Sequence, residues 1–347
     1  MLNSKKINIG ISIGDPNGIG IEIILKVLSE SYLYGECNFI IYSSLDLITK
    51  QQDFFKIKML PLKKINSLDE IVSDHINIKE VFSSSKFEFG KNDKEISANG
   101  VISFKEAVKD AKSKKIDILI TAPINKSLSY SSSFKFSGHT DYLKNTFNID
   151  PMMLMVSDKL KLGLLTEHIP LKDVVSEINT NKVIQKIKSL RDTLTKDFLI
   201  KDPKIAILAI NPHVGDNGVI GSEDQNILIP AITDINKDNN LIFGPFSADT
   251  FFCNENHMKY DGVIAAYHDQ GLIPFKTISF GKGVNYSSGL PIIRTSPDHG
   301  TGFDIAGQGI ASTSSFIQAL KVGIDTVSYT HLRAHETSLH LVCRLLL

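Results

Sequence analysis

The sequence predicts an α/β protein in which parallel strands alternate with helices. Short apolar runs rich in β-branched residues, such as residues 7–13 and 205–210, are separated by stretches in which apolar residues recur at helical spacing. This alternation is typical of parallel sheets covered by helices. The chain has 347 residues, enough for two domains that each bury a core, and we expect a cleft between them.

Charge and hydropathy exclude several classes of protein. Lys plus Arg equals Asp plus Glu at 38 each, so no net field attracts nucleic acid or an anionic membrane. No window approaches the roughly 20 consecutive apolar residues of a membrane span. The first residues also lack the apolar segment of a signal peptide. We therefore expect a cytoplasmic protein without nucleic-acid or membrane partners.

The first strand and the first helix are joined by a glycine-rich turn. The strand covers residues 7–13, the turn is GDPNGIG over 14–20, and residues 21–33 have helical spacing. The glycines at 14, 18 and 20 do not match the GxGxxG order of a dinucleotide-binding loop. The pattern is consistent with a ligand loop and equally with a tight connection between strand and helix.

The following stretch continues the alternation. In order, we predict a strand over 38–42, a helix over 45–55, a helix over 98–111, a strand over 116–120 and a helix that opens at 137–141. The strand over 116–120 runs into a polar turn with Lys126, and open α/β sheets place ligands at such strand ends. The helix that opens near His139 presents amide groups that favour an anion.

Three histidines directly follow predicted strands. These are His168 after residues 162–165, His213 after 205–210 and His268 after 263–266. The carboxyl ends of parallel strands lie on one side of a sheet, so the three rings can converge. Neutral imidazole is the commonest metal ligand in proteins, and three protein ligands leave a coordination position for substrate. Histidines that end strands are also often ordinary polar groups, so both interpretations stay open.

Residues 267–309 hold the greatest concentration of reactive groups. They include two His, two Lys, one Arg, three Asp and eight Gly. We expect largely irregular chain here, because long irregular segments in compact domains usually bind or react with something. Upstream, Asp249 lies in a turn that contains Pro245, and the local pattern favours a helix cap.

Eight motifs follow one another along the chain. They are GDPNGIGIE (14–22), TAPINK (121–126), GHTDYL (138–143), LTEHIPL (165–171), NPHVGDNGVIGSED (211–224), GPFSADTFF (244–252), YHDQGLIPFK (267–276) and VNYSSGLPIIRTSPDHGTGFDIAGQG (284–309). Together they resemble the 4-hydroxythreonine-4-phosphate dehydrogenase family of pyridoxal phosphate biosynthesis. The last motif is also similar to the nucleotide-binding loop of isocitrate and isopropylmalate dehydrogenases.

The resemblance implies the two-domain α/β/α fold of those dehydrogenases, with the active site in the cleft between the domains. We expect a first domain over 1–135 and 276–327, and a second domain over 136–275 that forms the interface of a homodimer. Residues 328–347 do not resemble the C-terminal helix of the family and are interpreted as an atypical tail that can be non-native. Residues 215–218 also depart from the family, which has a glutamate in this turn.

The resemblance assigns roles to individual residues. The metal ligands are His168, His213 and His268, in a site shared between two subunits. The substrate contacts are His139, Thr140, Lys276, Asn285 and Arg294. The nicotinamide cofactor is assigned to His299, Gly300, Asp304 and Gly307. The candidates for the general base or proton relay are Asp249, Asp269 and Lys276, and the sequence does not choose between them.

The implied reaction oxidises 4-phosphooxy-L-threonine to 2-amino-3-oxo-4-phosphooxybutanoate, which loses carbon dioxide to give 3-amino-2-oxopropyl phosphate. It needs NAD or NADP and one divalent ion per subunit, namely zinc, cobalt, manganese or magnesium. One alternative is a paralogue that oxidises a phosphorylated four-carbon sugar acid. Two further alternatives from other classes are a phosphotransacetylase-like acyltransferase and a non-catalytic protein that binds phosphorylated metabolites.

Overall fold

The computed structural model describes residues 6–30, 35–130 and 134–328. The predicted atypical tail lies outside the described residues, apart from Ser328. The chain divides into two units. The first unit consists of Met1–Ile149 and Leu290–Val327, and the second includes Asp150–Gly289.

The described residues form twelve strands. In chain order they are β1 (Ile7–Ser12), β2 (Cys37–Ser43), β3 (Leu62–Ile65), β4 (Ile76–Glu80), β5 (Ile118–Thr121), β6 (Met152–Val156), β7 (Lys161–Leu164), β8 (Ile205–Leu208), β9 (Ile242–Phe246), β10 (Gly262–Ala265), β11 (Val284–Ser288) and β12 (Ile293–Pro297). In the first unit the strand order is β3-β4-β2-β1-β5-β12, and all neighbours are parallel. The predicted parallel α/β architecture is confirmed for this unit.

The second unit has a mixed sheet in the order β11-β6-β7-β10-β8-β9. The pairs β11/β6 and β6/β7 are antiparallel, whereas β7, β10, β8 and β9 run parallel to one another. The three strands that precede the predicted metal-binding histidines are therefore adjacent and parallel. Their carboxyl ends lie on the same edge of the sheet.

Helices connect most of these strands. They are α1 (Gly20–Leu28), α2 (Leu45–Phe55), α3 (Lys94–Lys112), α4 (Lys126–Ser129), α5 (His139–Phe147), α6 (Thr180–Lys196), α7 (Ile229–Ile235), α8 (Ala248–Phe251), α9 (His268–Ser279) and α10 over residues 314–328. Within the described ranges, no helix combines the length and apolar character needed to cross a membrane.

The first unit has an apolar core on each face of its sheet. Alternate residues of a strand point to opposite faces. Accordingly, Phe39 and Ile41 of β2 belong to one core cluster, which also contains residues of α1, α2 and α10. Ile40 and Tyr42 belong to the other, which contains residues of α3 and α5. Helices therefore cover both faces of this sheet, in three layers.

The structure places the unit boundaries differently from the prediction. Residues 136–149 belong to the first unit because Leu143 of α5 is buried in the same core cluster as Phe104 of α3. Residues 276–289 belong to the second unit because β11 pairs with β6 along its full length. The boundaries fall after Ile149 and after Gly289, and not at 135 and 275.

The expectation of irregular chain over 267–309 was largely wrong. This stretch contains α9, β11 and β12, which are joined by short turns, and the long irregular segment begins after Pro297 and ends where α10 begins. Helix α9 buries Gly271, Leu272 and Phe275 at helical spacing. Two strands of five residues each are too short to give a strong periodic signal among so many glycines and polar residues.

Candidate active site

In the first unit, Arg294 is a buried cation whose guanidinium reaches Thr121, the last residue of β5. Strand β12 pairs in parallel with β5, with Arg294 opposite Leu119, so Thr121 lies on the same face two residues further along. The Arg294 side chain is 2% exposed, and its Nε and Nη2 atoms donate to Thr121 Oγ1 over 3.1 and 2.6 Å. Burial lowers the pKa of Arg294 to about 10, so the guanidinium stays charged at neutral pH.

His139, the first residue of α5, presents a neutral hydrogen-bond donor beside this cation. Its Nδ1 atom lies 3.4 Å from Nη2 of Arg294, which can only donate, so Nδ1 accepts and the ring proton is on Nε2. Burial, and then the charges of Arg294 and Lys126, hold the pKa of His139 well below its usual range. The Nε2 atom is buried and meets no partner within the described chain.

The amino end of α5 completes a pocket for an anion. Its N-cap residue is Gly138, and no side chain caps the helix there. Thr140 is the second residue of the helix, and the methylene groups of Lys126 lie beside Gly138. Amide groups at a helix start, a guanidinium and an ammonium favour phosphate or carboxylate. We call the group of Arg294, His139, Thr140 and Lys126 the anion pocket.

In the second unit, two of the three predicted metal ligands lie together. The ring centroids of His168 and His268 are 5.5 Å apart, with an angle of 49° between the ring planes. Two imidazoles on one tetrahedral ion, with metal–nitrogen bonds of about 2.0–2.1 Å, place their centroids about 5 Å apart. The pair therefore fits two ligands of one ion. Across the described part of the chain, however, no three His, Cys, Asp or Glu side chains form a group that could hold a metal.

Asp269 fixes the orientation of His268. The Nδ1–H of His268 donates to Asp269 Oδ1 over 2.7 Å, which leaves the Nε2 lone pair available. Metal-bound histidines usually donate their other nitrogen to a carboxylate in this way. The donor set on this edge of the sheet thus has the chemistry of a metal ligand and its supporting partner.

His213 is held by an unusual backbone segment near Asp249. Residues 213–217 all have positive φ, and the β-branched Val214 has φ 60°. Left-handed backbone costs a non-glycine residue roughly 1–2 kcal/mol. The pKa of Asp249 is lowered chiefly because the Ser247 hydroxyl donates to its carboxylate over 2.7 Å, and His213 also contributes.

The interpretation of Asp249 as a helix cap was wrong. The N-cap position of α8 is occupied by Ser247, and Asp249 is the second residue of the helix. The side chain of Asp249 accepts the Ser247 hydroxyl and faces solvent, next to the segment that carries His213.

The four predicted cofactor residues lie in one irregular loop of the first unit, between β12 and α10. Gly307 has φ 79°, and a Cβ atom there would lie 2.7 Å from the ring of Phe89, so only glycine fits. Gly300 faces open space. His299 Nδ1 lies 3.0 Å from the Gly300 carbonyl, to which it must donate, and its buried Nε2 is then an acceptor that none of the described residues satisfies. Such a loop fits the hydroxyl and amino donors of a nucleotide.

The glycine-rich turn over 14–20 is a close-packed connection. A Cβ atom at Gly14 would lie 2.4 Å from the Pro123 carbonyl oxygen. Asp15 is buried, and its carboxylate accepts from the amide of Asn17 and the hydroxyl of Ser97. Of the two interpretations left open, the structure favours the tight connection.

Comparison with known proteins identifies the family. The family model of the pyridoxal phosphate biosynthetic protein PdxA matches residues 35–323. The chain belongs to the PdxA family.

Similar proteins agree with this membership. A 4-hydroxythreonine-4-phosphate dehydrogenase from a Sulfurihydrogenibium species is 42% identical over 319 residues, which cover 92% of this chain and 98% of that protein. The crystal structure of 4-hydroxythreonine-4-phosphate dehydrogenase from Klebsiella pneumoniae has a TM-score of 0.81 at 30% identity and covers 94% of this chain and 99% of its own. Isocitrate dehydrogenase from Methylococcus capsulatus has a TM-score of 0.50 at 12% identity, with 94% of this chain and 87% of its own covered, and shares the fold alone.

Membership in the PdxA family confirms the predicted family, the α/β fold class and the expected oxidoreductase of pyridoxal phosphate biosynthesis. A dehydrogenase of this kind uses a nicotinamide cofactor. The roles of the individual side chains, and the metal ion, stay predictions.

Two residues were absent from the predicted site: Lys126 of the anion pocket, and Thr121, which holds Arg294. Thr121 accepts both bonds from Arg294, and Lys126 lies close enough to His139 to lower its pKa. Both belong to the TAPINK motif, which directly follows a buried strand. A polar turn at the carboxyl end of a parallel strand was the signal that could have identified them.

Proposed function

We propose that this chain oxidises 4-phosphooxy-L-threonine to 2-amino-3-oxo-4-phosphooxybutanoate, which decarboxylates to 3-amino-2-oxopropyl phosphate. The observation that carries this is the anion pocket, in which the buried charge of Arg294 lies beside the buried Nε2–H donor of His139. The pocket suits a phosphorylated acid, and curated relatives of the PdxA family carry the name of this dehydrogenase. We also propose a cytoplasmic location, where nicotinamide cofactors and small phosphorylated metabolites are held.

The reaction balances without a further reactant. The carbon that bears the hydroxyl loses a hydride and the hydroxyl loses a proton, which gives a ketone. The bond to the carboxylate then breaks, carbon dioxide leaves, and its electron pair stays on the carbon next to the ketone. That carbon takes up one proton. One dinucleotide is reduced for each carbon dioxide released.

The anion pocket binds one anionic group of the substrate. Arg294 is pre-oriented by its two bonds to Thr121, so the guanidinium can bind phosphate or carboxylate oxygens with little loss of side-chain entropy. His139 donates through Nε2 without adding charge, because its pKa is low. We assign further substrate contacts to Thr140, Lys276 and Asn285.

We assign the divalent ion to His168, His213 and His268. When bound, the ion withdraws charge from the substrate hydroxyl and lowers its pKa. His168 and His268 lie at the spacing that one ion requires, and Asp269 keeps the Nε2 lone pair of His268 directed at the site. Because His213 does not join them within the described chain, we infer that the third imidazole comes from the partner subunit.

Among the candidates for the general base, the contacts favour Lys276. Asp269 is engaged with His268, and the pKa of Asp249 is lowered by the Ser247 hydroxyl, which makes its carboxylate a weaker base. Lys276 lies eight residues after His268 in α9, about 12 Å along the helix axis. We propose that it contacts the substrate and transfers the proton.

We assign NAD or NADP to the loop with His299, Gly300, Asp304 and Gly307. When bound, the nicotinamide ring accepts the hydride. Gly300 leaves room for close approach of the ligand, and His299 Nε2 offers an acceptor to a hydroxyl or amino group. The positive φ of Gly307 and its contact with Phe89 fix the path of the loop.

We propose a homodimer whose interface lies on the second unit. A cavity of about 740 Å³ is lined by α8, α9 and neighbouring residues, among them Asp249 and Asp269. Ile273 and Phe280 on this face are 65% and 85% exposed. Large apolar side chains next to an incomplete set of metal ligands are what a subunit interface with a shared site requires.

The proposal is tested by comparing substrates with the purified chain, a divalent ion and NAD or NADP. We expect reduced cofactor to form with 4-phosphooxy-L-threonine, and at least about 10-fold more slowly with the analogue that has a hydroxyl in place of the amino group. The reverse preference would identify the sugar-acid paralogue. Acyl transfer to coenzyme A that survives a chelator would identify the acyltransferase. Phosphate binding without turnover under every metal would identify the binding protein.

A further inference from the structure

Helix α1 holds the start of the predicted cofactor loop. The amide of Ile19, the residue before the helix, donates to the Thr301 carbonyl over 2.9 Å. A Cβ atom at Gly18 would lie 2.5 Å from the same carbonyl oxygen, so glycine is required for this approach. Gly302, with φ 55°, packs against the side chain of Ile19. The loop therefore leaves β12 along a path that the amino end of α1 fixes.

Further along α1, an ion pair between the buried Glu22 and the partly exposed Lys26 holds the end of the same loop. The ammonium of Lys26 donates to Glu22 Oε1 over 2.7 Å, to the Gly309 carbonyl over 2.8 Å and to the Ala311 carbonyl over 3.1 Å. An ammonium has three N–H donors, so these acceptors match its full capacity. Glu22 is 0% exposed, and its Oε1 also accepts from the Ala311 amide over 2.9 Å.

This arrangement is specific to the loop. Two other i,i+4 ion pairs among the described residues, Lys50 with Asp46 and Lys196 with Asp192, are exposed and join neighbouring residues of one helix. The pair of Glu22 and Lys26 instead makes three bonds to backbone groups nearly 290 residues away. Bonds to charged groups are the stronger class of hydrogen bond. The pair therefore restrains the position at which the loop returns to α1.

We propose that Glu22 and Lys26 are a positioning pair that sets the affinity for the nicotinamide dinucleotide by holding residues 299–311 in their binding conformation. The inference rests on the proposed function, which assigns the cofactor to this loop. Neither side chain needs to touch the cofactor. Restraining the loop before binding removes an ordering cost that the dinucleotide would otherwise meet on association.

Lys26→Met tests the proposal in two independent measurements. In the protein without cofactor, we expect hydrogen exchange at amides 300–311 to become at least about 10-fold faster, since two carbonyl bonds and one ion pair are lost. In a titration followed by the emission of NADH, we expect its Kd to rise at least about 10-fold, while the Kd for inorganic phosphate stays unchanged. Lys26→Arg, which keeps the charge and the donors, should restore most of both properties.

Two further variants keep the result interpretable. Lys26→Met leaves the buried carboxylate of Glu22 without its cation, so the double variant Glu22→Gln with Lys26→Met removes that charge and retains an acceptor for the Ala311 amide. We expect it to behave as Lys26→Met does. Lys196→Met, which removes a lysine from the exposed pair in α6, is the matched control and should change neither property.

Each outcome has a distinct meaning. Unchanged exchange at 300–311 in both Lys26→Met and the double variant would overturn the restraint, and faster exchange with unchanged NADH affinity would overturn its role in binding. A wild-type chain that binds neither NADH nor NADPH would overturn the proposed cofactor site itself. The exchange measurement uses no cofactor, so these failures are distinguishable.

Discussion

At the scale of single residues, the candidate site depends on how buried polar groups are satisfied. Arg294 is buried and still charged at neutral pH, and Thr121 accepts two of its hydrogen bonds. His139 stays neutral beside two cations, and because its Nδ1 faces Arg294, its proton is on the buried Nε2 atom. A bound anion then meets a charged fork and a neutral donor. Arg294 therefore stays charged despite its burial, whereas burial keeps His139 neutral.

Replacement of Thr121 by Val tests the orientation of Arg294. The variant keeps the side-chain shape and removes the acceptor, so we expect the KM for substrate to rise at least about 10-fold and stability to fall by about 1–3 kcal/mol. Thr326→Val, which removes a buried hydroxyl bonded to the Val322 carbonyl in α10, should leave KM unchanged. Steady-state kinetics and urea unfolding measure the two effects. An unchanged KM would show that Thr121 does not orient the guanidinium.

The low pKa of His139 predicts an acid limb in the stability of the protein. The folded state keeps this ring neutral below the usual pKa of about 6.5, whereas the unfolded chain takes up a proton there. The contribution of His139 to the free energy of unfolding is therefore fully present above pH 6.5. It is lost as the pH falls, by up to about 2 kcal/mol at pH 5. The loss between pH 7 and 5 should be smaller by that amount in His139→Gln. Urea unfolding at both pH values measures this loss. An equal loss in the wild type and in His139→Gln would contradict the assignment.

At the scale of elements, strand ends and helix starts bring the reactive residues together. The sequence alone predicted strands before His168, His213 and His268, and β7, β8 and β10 are indeed adjacent and parallel. It did not predict which rings meet, because left-handed residues 213–217 redirect the chain after Asn211 and leave no periodic signal. The strands β11 and β12 were missed for a related reason, since pairing with distant strands stabilises them more than local propensity does.

The start of α9 yields a prediction for the metal site. Asp269→Ala removes the acceptor that orients His268, so zinc affinity should fall by about 10- to 100-fold. Asp192→Ala in α6 removes an exposed carboxylate that accepts a hydrogen bond from Lys196, and it should leave zinc affinity unchanged. Competition with a chromophoric chelator measures both values. Wild-type affinity in Asp269→Ala would argue against His268 as a ligand.

At the scale of the whole molecule, residue spacing and motif order gave the fold class and the family, whereas burial decided where each unit ends. The helix that carries His139 belongs to the first unit because its apolar side packs against α3, and no local pattern records that contact. The ion pair of Glu22 and Lys26 was likewise not predicted, because its backbone partners lie at the other end of the chain. Hydrogen bonds between residues so far apart in the chain produce no recognisable pattern in the sequence.

The dimer proposal predicts that a charge on the apolar face of α9 separates the subunits. Ile273→Lys should give a monomer that keeps its secondary structure, loses zinc and has no activity, because a buried lysine without a partner opposes association. Ile102→Lys, on an exposed part of α3 in the first unit, is the control and should stay dimeric. Light scattering with circular dichroism and metal analysis distinguishes the outcomes. A dimeric Ile273→Lys would place the interface elsewhere.

The central claim is an oxidative decarboxylation that depends on the anion pocket and the histidine metal site. Its most direct test measures reduced nicotinamide and carbon dioxide together, with purified chain, 4-phosphooxy-L-threonine, NAD or NADP and a divalent ion. We predict equal amounts of the two products in the wild type and loss of both in His168→Ala, with the fold retained. The account would be contradicted if the wild type formed neither product with zinc, cobalt, manganese or magnesium. Undiminished turnover in His168→Ala would contradict it as well.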